Sequence, residues 1–195
     1  MGYHCRLISF FGETHMTPRT VKVERAFNRF SDWVGTFSAI LLLLLVANVF
    51  YDVVMRYAFN DVSIGMQEFE WHLYSMIFLF GVAYTLKADG HVRVDVIYER
   101  LGPKKRALID ILGTLLFLWP FCFLVAGYGI GFAYEAYDLS ETSGDPGGLP
   151  YRWIIKGMIS LSFVCVIISS VGFMLRAVNE YLGLERAHKY ETFKP

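Results

Sequence analysis

Four stretches of the chain are almost wholly apolar and contain no charged residue. They are Trp33–Tyr51, Trp71–Leu86, Ile111–Tyr134 and Gly157–Leu175. A bilayer core about 30 Å thick needs roughly 20 helical residues, and only a helix or a closed barrel satisfies its own backbone in lipid. The pattern therefore predicts an all-α integral membrane protein with four transmembrane helices. The predicted spans are about 33–55, 70–87, 110–134 and 153–175.

The segment before the first stretch has a helical period of its own. Apolar residues recur at Val23, Ala26, Phe27, Phe30 and Val34, with basic residues on the other side. This spacing marks one face of a helix, and a basic amphipathic helix that leads into a span is typical of the membrane interface. We expect a cytoplasmic N-terminal segment over 1–32, a four-span domain over 33–176 and a cytoplasmic tail over 177–195. Membrane lipids are thus expected partners.

Composition supports the membrane assignment, and the placement of charge gives an orientation. Hydrophobic residues make up 55% of the chain and charged residues 18%, with a net charge of zero. Fifteen of the 18 Lys and Arg residues lie in the N-terminal segment, the loop between the second and third spans, or the tail. Since basic residues stay in the cytoplasm, both termini and this loop are predicted to be cytoplasmic.

Ionisable residues that could carry chemistry lie at the ends of the spans. Asp52 and Arg56 are one helical turn apart, a spacing at which an acid and a base can satisfy each other. Glu68 and Glu70 precede the second span, where negative charge suits a helix N-terminus. These four residues can have a structural role, as an ion pair or at the start of a helix. The alternative is that they contact a partner.

Cofactor and nucleic-acid chemistry find little support. A membrane haem needs axial ligands on facing helices, and His72 alone among the histidines lies near a span. Gly127, Gly129 and Gly131 lie inside an apolar span, where small residues favour close helix packing. We expect no enzyme activity, no cofactor, no metal and no nucleic-acid partner. A self-contained four-helix exporter or channel, working as a homo-oligomer, remains an alternative to an accessory subunit.

Several short segments occur in an order and spacing that resemble a known family. They are RYAFN at 56–60, QE at 67–68, FLFGVA at 78–83, GHVRVD at 90–95, RLGP at 100–103, SET at 140–142 and LPY at 149–151. Together they resemble the small membrane subunit of TRAP (tripartite ATP-independent periplasmic) transporters, the DctQ family. The resemblance covers roughly residues 19–182.

The resemblance implies a multi-pass protein of the bacterial inner membrane that braces a large permease subunit. A periplasmic solute-binding protein would deliver an organic acid such as a dicarboxylate, and a sodium gradient would drive symport. It also implies that Glu68, His91 and Asp95 are architectural or subunit-contact residues. Arg56 and Glu70 are further candidates for such a role because of their positions at the ends of the spans. The outer loop over 144–150, rich in Gly and Pro, is expected to lie near the docked binding protein.

Overall fold

The computed structural model describes residues 19–88 and 101–182, which form helices joined by short loops. The elements are α1 (Arg19–Ala58), α2 (Ile64–Lys87), α3 (Pro103–Gly113), a π-helical turn (Thr114–Leu118), α4 (Trp119–Asp138) and α5 (Trp153–Tyr181). In the described ranges no strand is present. The prediction of an all-α fold is therefore confirmed there.

Three helices are long and apolar enough to cross a membrane. They are Thr20–Ala58, Lys104–Asp138 and Trp153–Tyr181. The 24-residue helix α2 is not among them, although the sequence predicts a span there. Its first turns carry Gln67, Glu68 and Glu70, and its last residue is Lys87, so charge occupies both of its ends.

Helix α1 runs without a break through the predicted interfacial segment and the first span. Its 40 residues correspond to about 60 Å, at 1.5 Å per residue, or twice the thickness of a bilayer core. The predicted boundary at residue 32 thus lies inside a continuous helix. It remains a prediction about depth in the membrane.

Contacts along α1 and α2 show that the two helices are antiparallel neighbours. The Asn48 side-chain amide donates to the carbonyl of Met66 at 3.1 Å near one end. Asp32 pairs with Lys87 near the other end. Between them, a Cβ on Gly35 would lie 2.4 Å from the Tyr84 ring. Glycine at this position allows the two helices to approach closely.

Helix α5 lies at the centre of the bundle and contacts α1, α2, α3 and α4. The small apolar core contains Val34, Phe80, Ala83, Cys122 and Val166. Most other buried side chains on α5 are small or polar, namely Ser160, Ser162, Ser169, Ser170, Gly172, Ala177 and Asn179. Small residues at such interfaces let helix backbones approach closely within a membrane.

The outward faces of the helices are, by contrast, strongly apolar. Leu43 is 71% exposed, Phe50 70% and Phe117 76%. A soluble protein does not expose so much contiguous apolar surface. The combination of a small, polar interior with an apolar exterior is what a lipid environment requires.

The face of α1 that packs inward differs in part from the one predicted. Val34 is buried, but Val23 is 46% exposed. The buried positions in this part of the helix also include Glu24 and Ser31. Hydrophobic periodicity identifies the most hydrophobic side of a helix, whereas this part of α1 packs on α5 through a side that carries small and polar residues.

The π-helical turn lies immediately before Pro120. There the backbone N–H of Trp119 donates to the carbonyl of Thr114, five residues earlier. Proline lacks an N–H and clashes with the carbonyl four residues before it, and a wide turn relieves that conflict. The indole N–H of Trp119 also donates to the Ser170 hydroxyl at 2.8 Å, which ties this turn to α5.

Candidate functional site

Glu68, in the second turn of α2, holds the loop between α4 and α5. Its carboxylate accepts a hydrogen bond from the Ser143 hydroxyl and another from the backbone N–H of Leu149 at 2.6 Å. The helix start itself is capped by Ser63, whose hydroxyl accepts from the N–H of Met66 at 3.4 Å. One side chain of α2 thus fixes both sides of the outer loop.

The loop also closes on itself. The N–H of Ser143 donates to the carbonyl of Leu149 at 3.2 Å, and the N–H of Gly148 to the carbonyl of Asp145 at 3.0 Å. Gly147 has a φ of +85°, a conformation open to glycine at little cost. A Cβ on Gly148 would lie 2.4 Å from the Ser143 side chain and 2.8 Å from the Glu68 carboxylate, so only glycine fits there.

Ion pairs hold the two chain segments that lead into the loop. Glu141 pairs with Lys156 and lies 3.8 Å from Arg152. The Lys156 ammonium also sits 4.0 Å from the centre of the Phe132 ring, a favourable cation–π arrangement. Both cations of this corner are therefore engaged with Glu141, and the remaining exposed charges of the loop are acidic.

The hydrogen bonds to Glu68 change its titration. The Ser143 hydroxyl, then the Leu149 N–H, and to a smaller extent the positive charge of Arg152 lower the pKa of Glu68 below its ordinary value of 4.5. These donors bind the ionised form more strongly than the neutral one. At neutral pH the carboxylate is charged and the loop is held.

Arg56 forms an ion pair at the outer end of α1. Its guanidinium is 2.5 Å from the carboxylate of Asp52, one turn away, and that carboxylate is almost fully buried. Burial of an unpaired charge is costly, so Arg56 makes the inward position of Asp52 tolerable. The pairing expected from the i,i+4 spacing is confirmed.

The other residues named from the sequence have different positions. Glu70 is half-buried on α2, and its carboxylate takes no part in the bonds to the loop. His91 and Asp95 lie outside the described residues. The same holds for three of the four apolar residues whose helical spacing predicts an amphipathic stripe in the loop between α2 and α3, namely Val94, Ile97, Tyr98 and Leu101. The structure therefore brings Glu68 to the loop and Arg56 to Asp52, and the contacts of these residues with partners stay predictions.

A second polar cluster was missed by sequence reasoning. It lies at the end of the bundle that is predicted to face the cytoplasm, which we call the inner end. The Glu24 carboxylate, 6% exposed, accepts from the side-chain amide of Asn179 at 2.7 Å and from that of Asn28 at 3.5 Å. Two turns further along, the Ser31 hydroxyl donates to that of Ser169 at 2.9 Å. The Glu24–Asn179 and Ser31–Ser169 bonds join α1 to α5, whereas the Asn28–Glu24 bond lies within α1.

A sequence signal for this cluster does exist. Glu24, Ser31, Ser38 and Asp52 are separated by seven residues or a multiple of seven, and all four are buried. A seven-residue repeat marks the seam of a helix that packs along its whole length. Here the seam is polar, so a search for apolar periodicity passes over it.

The arrangement at both ends is one of hydrogen bonds and ion pairs between structural elements. Among residues 19–88 and 101–182, no group of three or more His, Cys, Asp or Glu side chains is placed to hold a metal ion. Most of the polar side chains described above hold helices and loops together, whereas the buried Ser38 hydroxyl has no hydrogen-bond partner.

Comparison with known proteins agrees with this picture. The family described as "Tripartite ATP-independent periplasmic transporters, DctQ component" matches residues 45–180. A "Putative TRAP transporter small permease protein" of Haemophilus influenzae is 27% identical over 138 residues, which is 70% of this chain and 86% of that protein. A second protein of the same name and organism is 26% identical over 90 residues, 46% of this chain and 54% of its own. No solved structure matches.

The fold and its apolar exterior define a multi-pass helical membrane protein, and the family match identifies it as a transporter subunit of the inner membrane. More particularly, the chain belongs to the DctQ family, the small permease components of TRAP transporters. The resemblance seen in the sequence is confirmed. Such systems have three parts, so the family implies a large permease and a binding protein beside this chain.

Proposed function

We propose that this chain is the static scaffold subunit of a sodium-driven TRAP transporter that takes up organic acids such as carboxylates and dicarboxylates. In this proposal it crosses the membrane four times, with both termini in the cytoplasm. It braces the large permease, which holds the substrate and sodium sites. A periplasmic binding protein delivers the substrate from the outer side.

The distribution of charge carries the scaffold role. The described carboxylates and basic groups lie outside the four uncharged stretches, as at Glu24, Asp32, Asp52 and Glu68. Ionisable groups deep inside a span are the usual mark of an ion or substrate pathway. Polar groups that are already bonded at the rims support a bracing function instead.

The pairing of α1 with α2 supports the fourth crossing. Met66 lies level with Asn48, and Lys87 level with Asp32. Over this interval α2 rises by about 30 Å and α1 by about 24 Å, which is most of the thickness of a bilayer core. If α1 crosses the membrane between Asp32 and Asn48, then α2 crosses beside it.

Two contacts with partners follow from the proposal. The apolar outer faces of the helices would pack on the large permease, and the loop over 144–150 would lie near the binding protein. Glu68 shapes that loop, and His91 and Asp95 remain proposed contact residues of the cytoplasmic loop.

Reconstitution with the large permease tests the proposal. We expect a tagged form of this chain to retain the permease through purification. Proteoliposomes that contain both, with the binding protein outside, should accumulate a labelled organic acid only under an inward sodium gradient. Vesicles that hold this chain alone should show no uptake. Sodium-driven uptake by this chain alone would contradict the scaffold role.

A matched pair of variants tests the outer contact. Glu68→Gln alters the residue that holds the loop, whereas Glu135→Gln changes the same charge at an exposed position of α4. We expect slower uptake in the first variant and near-normal uptake in the second, with substrate affinity of the isolated binding protein unchanged in both. Equal uptake in the two variants would remove the loop from the docking surface.

A further inference from the structure

One face of α1 carries exposed basic residues at its inner end. Lys22, Arg25 and Arg29 are exposed, and Trp33, one turn beyond Arg29, is 74% exposed. With 3.6 residues per turn, these four side chains fall within a sector of about 80°. We refer to them as the basic face of α1.

The basic face points away from the rest of the protein. Glu24 and Ser31 lie toward the opposite side of the helix, at about 140° and 160° from the centre of the basic face, and both bond to α5. The packing of α1 on α5 therefore fixes the direction of the basic face. Since α1 is continuous from Arg19 to Ala58, that direction is rigidly tied to the transmembrane part.

The acidic residues of this segment do not neutralise the face. Glu24 is turned inward, to Asn179 and Asn28, and Asp32 is paired with Lys87. Among the described residues, Asp32 is the acidic neighbour on the same side of α1, and its charge is already engaged by Lys87. The local positive charge is thus not neutralised. It is available to an anion from outside the bundle.

The same face becomes purely apolar toward the middle of the membrane. Ile40 is 51% exposed, Leu43 71% and Leu44 50%. Along one rigid surface, aliphatic side chains are followed by an indole and then by cations. Tryptophan prefers the level between acyl chains and headgroups, so Trp33 marks the depth at which the cations begin.

We propose that the basic face of α1 binds anionic phospholipid headgroups in the leaflet on the cytoplasmic side. Arg29 lies about 6 Å from Trp33 along the helix axis and Arg25 about 12 Å, within reach of lipid phosphates for long side chains. The order of aliphatic, aromatic and basic groups matches the acyl chain, the glycerol region and the headgroup of one lipid. An acidic protein segment would complement the cations but not the aliphatic and aromatic parts of this face.

This inference goes beyond the proposed function, because it concerns the lipid around this chain and not the transport partners. Its test needs only this chain and lipid, and the large permease enters as a competitor for the same face. Anionic lipids would fix the height of α1 in the membrane through attraction to its inner end.

Quenching of tryptophan fluorescence by brominated lipids tests the proposal on the full chain in vesicles. The vesicles contain phosphatidylcholine with a fixed fraction of brominated phosphatidylglycerol, or of brominated phosphatidylcholine. Subtracting the signal of Trp33→Phe isolates the contribution of Trp33. We expect several-fold stronger quenching by the anionic lipid, because each nearby basic residue favours anionic lipid by about fivefold.

Two double variants with equal loss of charge provide the comparison. Arg25→Gln/Arg29→Gln removes cations of the basic face, and Lys104→Gln/Lys105→Gln removes two exposed cations of α3. We expect the preference of Trp33 for the anionic lipid to disappear in the first and persist in the second. Helix content measured by circular dichroism verifies that both variants fold.

Each alternative outcome overturns the proposal. Equal quenching by the two lipids in the unmodified chain would show that the face has no headgroup preference. An undiminished preference in Arg25→Gln/Arg29→Gln, or an equal loss in Lys104→Gln/Lys105→Gln, would remove the site from α1. Complete shielding of Trp33 from both lipids when the large permease is added would show that protein covers the face.

Discussion

The two ends of the bundle use polar side chains in different ways. At the inner end, Glu24 bonds to Asn179 and Ser31 to Ser169, so side chains of α1 meet side chains of α5 far along the chain. At the outer end, Glu68 bonds to the Leu149 backbone and the Ser143 hydroxyl, so a helix holds a loop. The inner bonds fix helix against helix, and the outer bonds fix the shape of a surface.

This difference predicts where a substitution acts. Bonds between helices contribute to the stability of the whole bundle, because they are lost only when the helices separate. Bonds from a helix to a loop can be lost while the bundle stays intact, since loops open locally at lower free energy. Inner substitutions should therefore lower global stability, and outer ones should loosen a loop.

The largest effect is expected at Glu24. Replacing it by leucine leaves the buried amide of Asn179 without its acceptor, and loss of a buried hydrogen bond to a charged group costs about 2 kcal/mol. The free energy of unfolding by SDS in mixed micelles would show this loss. Arg25→Leu, at the exposed neighbouring position, should change that free energy by about 0.5 kcal/mol or less. Equal losses in the two variants would contradict a special role for the inner bonds.

A somewhat smaller effect is expected at Gly172, where α1 and α5 approach each other closely. A Cβ there would lie 2.9 Å from the Cβ of Phe27, so Gly172→Ala should force the helices apart at a cost of about 1 kcal/mol or more.

Gly127→Ala is the matched control for this substitution. A Cβ at Gly127 meets nothing within 4 Å, and alanine favours helix by up to about 1 kcal/mol. The same micelle titration should therefore give opposite signs for the two variants. A stabilising Gly172→Ala would show that the inner contact is looser than described.

The smallest effect on global stability, and the clearest effect on a loop, is expected at Glu68. A nitroxide attached to Asp145→Cys, in a chain whose native cysteines are replaced by serine, should become more mobile when Glu68→Ala is added. The free energy of unfolding should stay nearly constant. Global destabilisation as large as that of Glu24→Leu would erase the distinction between the two ends.

The pH dependence of the nitroxide mobility provides a further test of the hold of Glu68 on the loop. The pKa of Glu68 is lowered in the folded protein, so its hold on the loop is present above the ordinary value of 4.5 and is lost as pH falls through the lower folded value. Nitroxide mobility should thus rise only on acidification below about 4.5. In Glu68→Ala the label should be mobile at every pH.

Much of the fold could be predicted because it depends on the length and hydrophobicity of individual chain segments. The uncharged stretches beginning at Trp33, Ile111 and Gly157 lie in helices long and apolar enough to span. The Asp52–Arg56 pair followed from spacing within one helix. Both signals depend on one segment of the chain alone, so they can be recognised without knowing which helices pack against it.

The inner cluster could not be found in the same way. Glu24 lies between Val23 and Arg25 in the sequence, and nothing local shows that it faces Asn179, 155 residues away. The hold of Glu68 on Ser143 and Leu149 likewise depends on how α2 meets the loop after α4. Pairings of this kind depend on tertiary packing, which one helix does not reveal.

The π-helical turn before Pro120 has a consequence for the tolerance of this helix to insertions and deletions. Thr114 and Cys122 are both buried, yet eight residues of regular α-helix would rotate one from the other by about 80°. The wide turn absorbs one residue and reduces the offset to about 20°. Removing one residue between 114 and 118 would convert the wide turn into regular α-helix and keep the offset at about 20°. The outer half of the helix would keep its orientation, so a one-residue deletion should be tolerated better here than in a regular part of the span.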